Sequence, residues 1–197
     1  TIHNEQIKIV NVSAARPKTY NGEPQMWGFS TVVETVKNQP ASFTYSKTEA
    51  GPYVPYSEFQ LFTNAGTYTV YYKVSAPNHD DAFGSFDATI KPLDISDKYS
   101  ATTTVTLGGE SLTYTGKEQT QTVKKVETTA NGKTMEVTTF DVTGNTGTNA
   151  GEYELTVTGT GNFTGSVKQK WSIGKKFITM MGFDWIGKDP TYTGELQ

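Results

Sequence analysis

Residues 63–74 read Thr-Asn-Ala-Gly-Thr-Tyr-Thr-Val-Tyr-Tyr-Lys-Val, and a related stretch, Asn-Ala-Gly-Glu-Tyr, spans residues 149–153. After each Asn-Ala-Gly, apolar and polar side chains alternate. One face carries Tyr68, Val70, Tyr72 and Val74 in the first stretch and Tyr153, Leu155 and Val157 in the second. A period of two with apolar side chains on one face predicts a strand that covers a core. We therefore expect Tyr68 and Tyr153 to be buried at equivalent positions.

Two further landmarks recur along the chain. The motif Thr-Tyr-x-Gly begins at Thr19, Thr113 and Thr191, and a second alternating strand ends at Ile90 and again at Ile173. The offsets between matching landmarks differ, which indicates loop insertions within a common fold. The sequence predicts two complete copies, residues 1–93 and 94–174, with residues 175–197 as the truncated start of a third. We expect a piece of a longer protein, in which residues 91–94 form a short junction rather than a flexible linker.

Shorter alternating runs bounded by turn residues predict the other strands. These are residues 7–13, 27–33, 42–46 and 58–62 in the first copy, and 102–107, 120–128 and 134–142 in the second. Asn131-Gly132 is a predicted hairpin turn. The 33 threonines favour strands, because a branched Cβ suits a pleated surface. The predicted fold is all-β, with tandem immunoglobulin-like antiparallel β-sandwich repeats.

Five residues are predicted to have structural roles. Gly66 and Gly151 each stand two positions before the tyrosine that begins an inward face, Tyr68 or Tyr153. A tyrosine at such a strand start is typical of the tyrosine corner of β-sandwiches, in which the hydroxyl bonds to nearby backbone. The alternative is an ordinary buried aromatic residue. Trp171 lies on the inward face of the strand that closes the second copy.

The composition excludes several classes of protein. The chain has no cysteine, which excludes disulfides, thiolate zinc sites and cysteine nucleophiles. Its net charge is −3, with 19% charged residues, which argues against both a disordered tail and a nucleic-acid-binding protein. No run approaches the roughly 20 apolar residues of a membrane helix, so we expect no membrane insertion within this chain. No cofactor is expected.

The order of these motifs resembles the MBG-type bacterial immunoglobulin-like repeats: Thr-Tyr-x-Gly early, Asn-Ala-Gly-x-Tyr late, then a closing strand ending in Ala-Thr-Ile or Trp-Ser-Ile. Residues 63–74 match best, and Asn162-Phe163-Thr164-Gly165 is also typical. The resemblance covers nearly the whole chain. It implies tandem modules of large exported bacterial surface proteins, often near leucine-rich or adhesive domains. The first copy departs from the pattern in its longer middle, residues 48–57, where Pro52 and Pro55 interrupt any strand.

The residues that carry chemistry form no catalytic pattern. The two histidines, His3 and His79, have no Ser-His-Asp spacing around them, and the acids are scattered singly. We therefore expect no enzymatic activity.

Two other kinds of site have candidate residues, a calcium site and a covalent cross-link. Oxygen-bearing side chains of the kind that Ca²⁺ prefers crowd one inter-strand loop, namely Asn78, Asp80, Asp81 and Asp87. Turns use the same residue types for their own backbone bonds, which is the alternative. A Lys–Asn isopeptide bond would need Lys8 or Lys73 as donor, but no motif selects either.

Aromatic residues supply the remaining candidates for ligand binding. Tyr71 lies on the polar face of its strand, and with Trp27 and Tyr53 it offers flat rings that can stack on a sugar. The alternative is that these rings cover a core or an edge. We expect a non-catalytic spacer or stalk module of an extracellular, cell-surface bacterial protein, with neighbouring domains as its partners. The alternative function is an adhesin module that binds a cell-surface glycan or protein through exposed aromatic rings.

Overall fold

The computed structural model describes residues 5–13, 16–25, 30–109 and 111–178. Trp27, His3 and the third Thr-Tyr-x-Gly motif lie outside these residues, as does most of the predicted third copy. The described chain is all-β, with two short 3₁₀ turns at Val36–Asn38 and Tyr56–Glu58.

The first half of the chain builds one four-stranded sheet and two smaller ones. The four-stranded sheet has the order β3-β8-β6-β5, while β2 pairs with β4 and β1 with β7. The strands are β1 (Glu5–Gln6), β2 (Lys8–Ser13), β3 (Lys18–Thr19), β4 (Ser30–Glu34), β5 (Ser42–Ser46), β6 (Gly66–Ser75), β7 (His79–Asp80) and β8 (Ala82–Lys91).

The second half builds a four-stranded and a three-stranded sheet. Their orders are β11-β19-β17-β15 and β10-β13-β14, while β12 pairs with β16 and β9 with β18. The strands are β9 (Leu93–Asp94), β10 (Ala101–Leu107), β11 (Leu112–Thr113), β12 (Gln119–Thr120), β13 (Val123–Ala130), β14 (Lys133–Glu136), β15 (Phe140–Thr143), β16 (Thr146–Gly147), β17 (Gly151–Gly159), β18 (Phe163–Thr164) and β19 (Ser166–Gly174).

The two halves share their strand pairings. Each has a long antiparallel hairpin, β6 with β8 and β17 with β19. The last strand of each hairpin also takes a short parallel neighbour, β3 or β11. A second parallel pair joins the first strand of each half to the turn inside the hairpin, β1 with β7 and β9 with β18. These pairings therefore recur in both halves.

Each half buries its own cluster of apolar side chains. The first cluster contains Tyr72, Val74, Ala88 and Ile90 from the hairpin, together with Ile7, Tyr45 and Phe59. In the second cluster, Leu155, Val157, Trp171 and Ile173 from one sheet meet Ala101, Val126 and Ala130 from the other. Side chains of two facing sheets thus share one core, which is consistent with a β-sandwich. The alternation predicted for both hairpins is confirmed, because their inward residues form these clusters. Leu93 packs in the second cluster.

Several predicted strands are wrong in extent. Residues 58–62 form no strand, and Phe62 makes only an isolated bridge to Gln25. The run 134–142 is split into β14 and β15, because the chain leaves one sheet at Val137 and enters the other. Residues 120–128 are split as well, because β12 pairs with β16 whereas β13 pairs with β10 and β14. The bond from Gln121 N–H to Asn145 O, at 2.7 Å, continues the pairing of β12 with β16. The Asn131-Gly132 turn is confirmed, with both residues at positive φ.

Tyr68 and Tyr153 are half-buried rather than buried, because each stands at the rim where its strand begins. The hydrogen bond expected of a tyrosine corner is present in both halves. The Tyr68 hydroxyl donates to Asn64 O at 2.8 Å, and the Tyr153 hydroxyl donates to Asn149 O at 2.7 Å. Tyr153 also stacks on Trp171 with ring centroids 4.6 Å apart, which gives this tryptophan a structural contact in the core.

Replacing Tyr153 by Phe is expected to lower the free energy of unfolding by about 1–2 kcal/mol, because it removes the two hydrogen bonds between the hydroxyl and the Asn149 backbone and keeps the ring. Tyr153→Ala also removes the stacked ring and should cost about 2–3 kcal/mol, less than the roughly 3–5 kcal/mol of a fully buried aromatic residue. Urea denaturation measures both. The control is Tyr99→Phe, at a fully exposed position. Equal stability of Tyr153→Phe and Tyr99→Phe would contradict a stabilising corner.

Candidate functional site

The connection between the two halves is hydrogen-bonded on both sides. On the side of the first half, Tyr20 N–H donates to Lys91 O at 2.8 Å. On the side of the second half, Leu93 N–H donates to Asn162 O and Ile95 N–H donates to Thr164 O, both at 2.9 Å. Pro92, between them, has no N–H to satisfy. Residues 91–95 are therefore built into both sheets, and we call this connection with its contacts the joint.

Side chains reinforce the joint from both halves. The Asn162 Oδ1 atom accepts a hydrogen bond from Ala65 N–H at 2.7 Å, and its Nδ2 donates to Asn64 Oδ1 at 3.1 Å. The ring of Tyr20 meets the ring of Phe163 edge-on, with centroids 5.3 Å apart. Tyr20 packs against the buried clusters of both halves. It is the side chain that connects the two cores.

The joint is formed by residues of three sequence motifs, two of which recur along the chain. Tyr20 comes from the first Thr-Tyr-x-Gly and Asn64 from the first Asn-Ala-Gly, while Asn162 and Phe163 come from Asn-Phe-Thr-Gly. Gly165 ends this last motif at φ +81, and a Cβ there would lie 1.9 Å from Asp94 Oδ1. Glycine is thus required for the turn to approach the connecting strand. In the second half, Tyr114 N–H likewise bonds to Gly174 O at 2.8 Å, and its side chain is 40% exposed.

An ion pair crosses the joint on the surface. Lys133 Nζ contacts the Glu23 carboxylate and also donates to Asn21 O at 3.3 Å. The hydrogen bond from Lys133, followed by its positive charge, lowers the pKa of Glu23 below its ordinary 4.5. The pair is therefore complete above pH 4.5 and is lost as the pH falls through the lowered pKa.

The structure brings together two of the three aromatic candidates for ligand binding. Tyr53 and Tyr71 line one surface cavity of about 440 Å³, together with Phe83. The rings of Tyr53 and Phe83 meet edge-on at 5.7 Å. We call these three residues the aromatic surface; Trp27 lies outside the described residues. Phe83 is not among the candidates identified from the sequence. The alternation along its strand nevertheless places Phe83 on the face opposite to the buried Phe86, Ala88 and Ile90.

The four calcium candidates are not brought together. Asp81 bonds to Lys73 and Ser75, and the Ser75 hydroxyl is the first cause of its lowered pKa. The other three accept hydrogen bonds from separate residues. Asp80 accepts from the Gln6 side chain, Asp87 from the Thr69 hydroxyl, and the Asn78 carbonyl from Glu5 N–H. Among the described residues, no three His, Cys, Asp or Glu side chains form a group that could hold a metal ion. The loop residues instead stabilise turns and strand pairs through hydrogen bonds and an ion pair.

The two lysines considered for an isopeptide bond contact acids. Lys8 pairs with Glu34 and Lys73 with Asp81, each at 3.1 Å. Neither pair provides the asparagine that a Lys–Asn isopeptide bond would require. Both contacts are partly exposed ion pairs of the kind that contributes little to stability.

Replacing Lys133 by Met is expected to raise the pKa of Glu23 back to about 4.5, because both causes of its lowering are removed. Carboxyl titration by NMR measures this value. Asp97 is the internal control: the Ser100 hydroxyl and Tyr99 N–H hold its pKa low, and the substitution leaves these contacts in place. An unchanged Glu23 pKa in the variant would contradict the contact across the joint.

No protein-family model matches the chain, and no curated protein matches it. The described residues include no helix of the length and apolar character needed to cross a membrane.

Proposed function

We propose that the chain is a non-catalytic spacer, in which two immunoglobulin-like β-sandwich repeats are held end to end by the joint. The observation that carries this proposal is the hydrogen bonding of residues 91–95 to both halves. A linker built into two sheets resists bending in a way that a free linker does not. Holding a neighbouring domain at a fixed distance is a function that needs this property and no active site.

The use of the repeated motifs supports the same proposal. Tyr20 and Asn64 belong to motifs that recur along the chain, and in the joint they contact Phe163 and Asn162 of the second half. Motifs that recur and also connect neighbouring units are expected of a modular stalk, because each unit needs the same contact. The resemblance to exported bacterial repeats supports a location at the cell surface.

The contacts of His79 support a structural role. Its Nε2 accepts a hydrogen bond from Val36 N–H at 2.9 Å, and Nδ1 lies 2.8 Å from Pro77 O. With Nε2 as acceptor, Nδ1 carries the proton and donates to Pro77. Both ring nitrogens are thus used in bonds to the backbone, and the ring is buried. This histidine holds a turn, and proton transfer to a substrate would break that arrangement.

The aromatic surface favours a second candidate function, that of an adhesin module. The exposed ring of Phe83 and the half-buried rings of Tyr53 and Tyr71 border one cavity, a binding feature that a passive spacer does not require. The partner in this case is a cell-surface glycan or protein. A module can hold a domain at a distance and bind a ligand, so the two candidates are compatible.

Small-angle X-ray scattering tests the spacer proposal. Strands of nine or ten residues at about 3.3 Å each make a unit roughly 30 Å long, so two units end to end should exceed about 60 Å. The double variant Asn162→Ala/Lys133→Met removes polar contacts across the joint and should broaden the distribution of distances. Lys168→Met removes an ion pair with Glu154 inside the second half and is the control. A compact particle for the unmodified chain would contradict the proposal.

A further inference from the structure

The second half provides an internal comparison for the aromatic surface. Tyr68 pairs with Ala88 in the first hairpin and Tyr153 with Trp171 in the second. Counting along the strands from these pairs gives the residues of the second half that stand where the first has Tyr71, Phe83 and Ser85. They are Thr156, Ser166 and Lys168.

Polar contacts occupy two of these positions in the second half. Lys168 bonds to Glu154 at 2.6 Å, and Ser166 bonds to Thr158 at 2.9 Å. The same scaffold is thus satisfied with polar side chains on this face. In the first half Phe83 is 58% exposed on it. An exposed phenylalanine that the scaffold does not need indicates a role in contact with something else.

An inserted segment completes the surface. From the end of β5 to the start of β6 the first half uses residues 47–65, whereas residues 144–150 make the equivalent connection in the second. Two backbone hydrogen bonds between Tyr45 and Val54 hold the insertion on the sheet. The side chain of Tyr45 is buried, and this burial raises its pKa to about 12. Next to this anchor, the Tyr53 hydroxyl donates to Glu49 O at 2.7 Å. The ring of Tyr53 is therefore held in place beside Phe83.

Two features that distinguish the first half from the second thus meet at one cavity. The outward strand face supplies Tyr71, Phe83 and Ser85, and the insertion supplies Tyr53 and Glu49. Tyr71 and Phe83 lie on the same face of neighbouring strands, two positions apart in register, a spacing that lets aromatic side chains act together. The volume of about 440 Å³ is within the range of small-molecule sites.

We propose that the aromatic surface binds a neutral saccharide, with a pyranose ring stacked on Tyr71 and Phe83 and its hydroxyls bonded to Glu49 and Ser85. This inference rests on the second candidate function and names its ligand class. A pyranose with equatorial hydroxyls presents an apolar C–H face to a flat ring and donors at its edge. Aromatic rings with a few placed polar groups match both parts of such a ligand.

The charge and hydrogen bonding of the cavity favour this ligand over others. Glu49 is the charged residue of its lining, so anionic ligands are repelled. The Tyr53 hydroxyl already donates to Glu49 O, so it is not the donor that a proline-rich peptide needs for its carbonyl groups. The Glu49 carboxylate instead accepts hydrogen bonds, and saccharide hydroxyls donate them.

Native gel electrophoresis of the full chain, in gels that contain a soluble polysaccharide, tests the proposal. Hydroxyethylcellulose, laminarin and xylan are the neutral probes, and polygalacturonate is the anionic control. Slower migration in at least one neutral gel and none in polygalacturonate is expected. Tyr71→Thr and Phe83→Ser introduce the residues of the second half and should each weaken binding roughly three- to tenfold, as the loss of one aromatic contact does. Tyr99→Thr removes an exposed tyrosine elsewhere and should bind as the unmodified chain does.

Circular dichroism and thermal unfolding establish that each variant is folded, which is expected because the altered side chains face outward. Unchanged migration in all three neutral gels would overturn the proposal, and so would retardation that Tyr71→Thr and Phe83→Ser leave intact. Titration with a proline-rich peptide separates the ligand class from the candidate function. Binding of this peptide through Tyr71 and Phe83, without polysaccharide binding, would overturn the proposal of a saccharide ligand. The candidate function of a binding module would then be retained. The spacer proposal is tested separately by scattering and does not depend on these results.

Discussion

The backbone hydrogen bonds of residues 91–95 are the constraint on which the arrangement of the two halves depends. Lys91 O accepts a bond from the first half, and Leu93 and Ile95 donate to the second. This five-residue connection is thus bonded to the first half at one end and to the second half at the other. A rotation of one half against the other would also have to break the direct contacts between them. Tyr20 adds an apolar contact to both cores, and Asn162 adds two directional bonds. The polar contacts set the orientation, and the half-buried ring of Tyr20 covers part of the contact between the cores.

The part of the fold that the sequence predicts is the part with local periodicity. In both hairpins the inward residues could be read from alternation alone, because neighbouring side chains on a strand face opposite sides. Residues 58–62 lack such support: the prolines before them lead into a 3₁₀ turn at Tyr56–Glu58 that no alternation indicates. The run 134–142 alternates well enough but changes sheets at Val137, and a change of partner leaves no trace in a single strand's pattern.

The joint and the aromatic surface depend on contacts between distant residues. Ala65 and Asn162 are 97 positions apart, and their bond exists only because two turns from different halves meet. Ala65 lies in the repeated Asn-Ala-Gly motif and Asn162 in Asn-Phe-Thr-Gly, but neither motif indicates that the two residues touch. At the aromatic surface, the alternation of side chains along the strand places Tyr71 on the outward face. The same alternation places Phe83 on the outward face of its own strand. The position of Tyr53 beside them follows from the fold of the insertion, which the sequence pattern does not specify.

A shared orientation of the two halves is the central claim, and residual dipolar couplings test it most directly. Amide couplings are measured for the full chain in a weakly aligning medium and fitted separately for residues 30–90 and 95–174. A joint built into both sheets predicts that both fits return one alignment tensor, with the same magnitude and the same axes. Two tensors of clearly different magnitude would show that the halves reorient independently, and would contradict the account of residues 91–95 as a stiff connection.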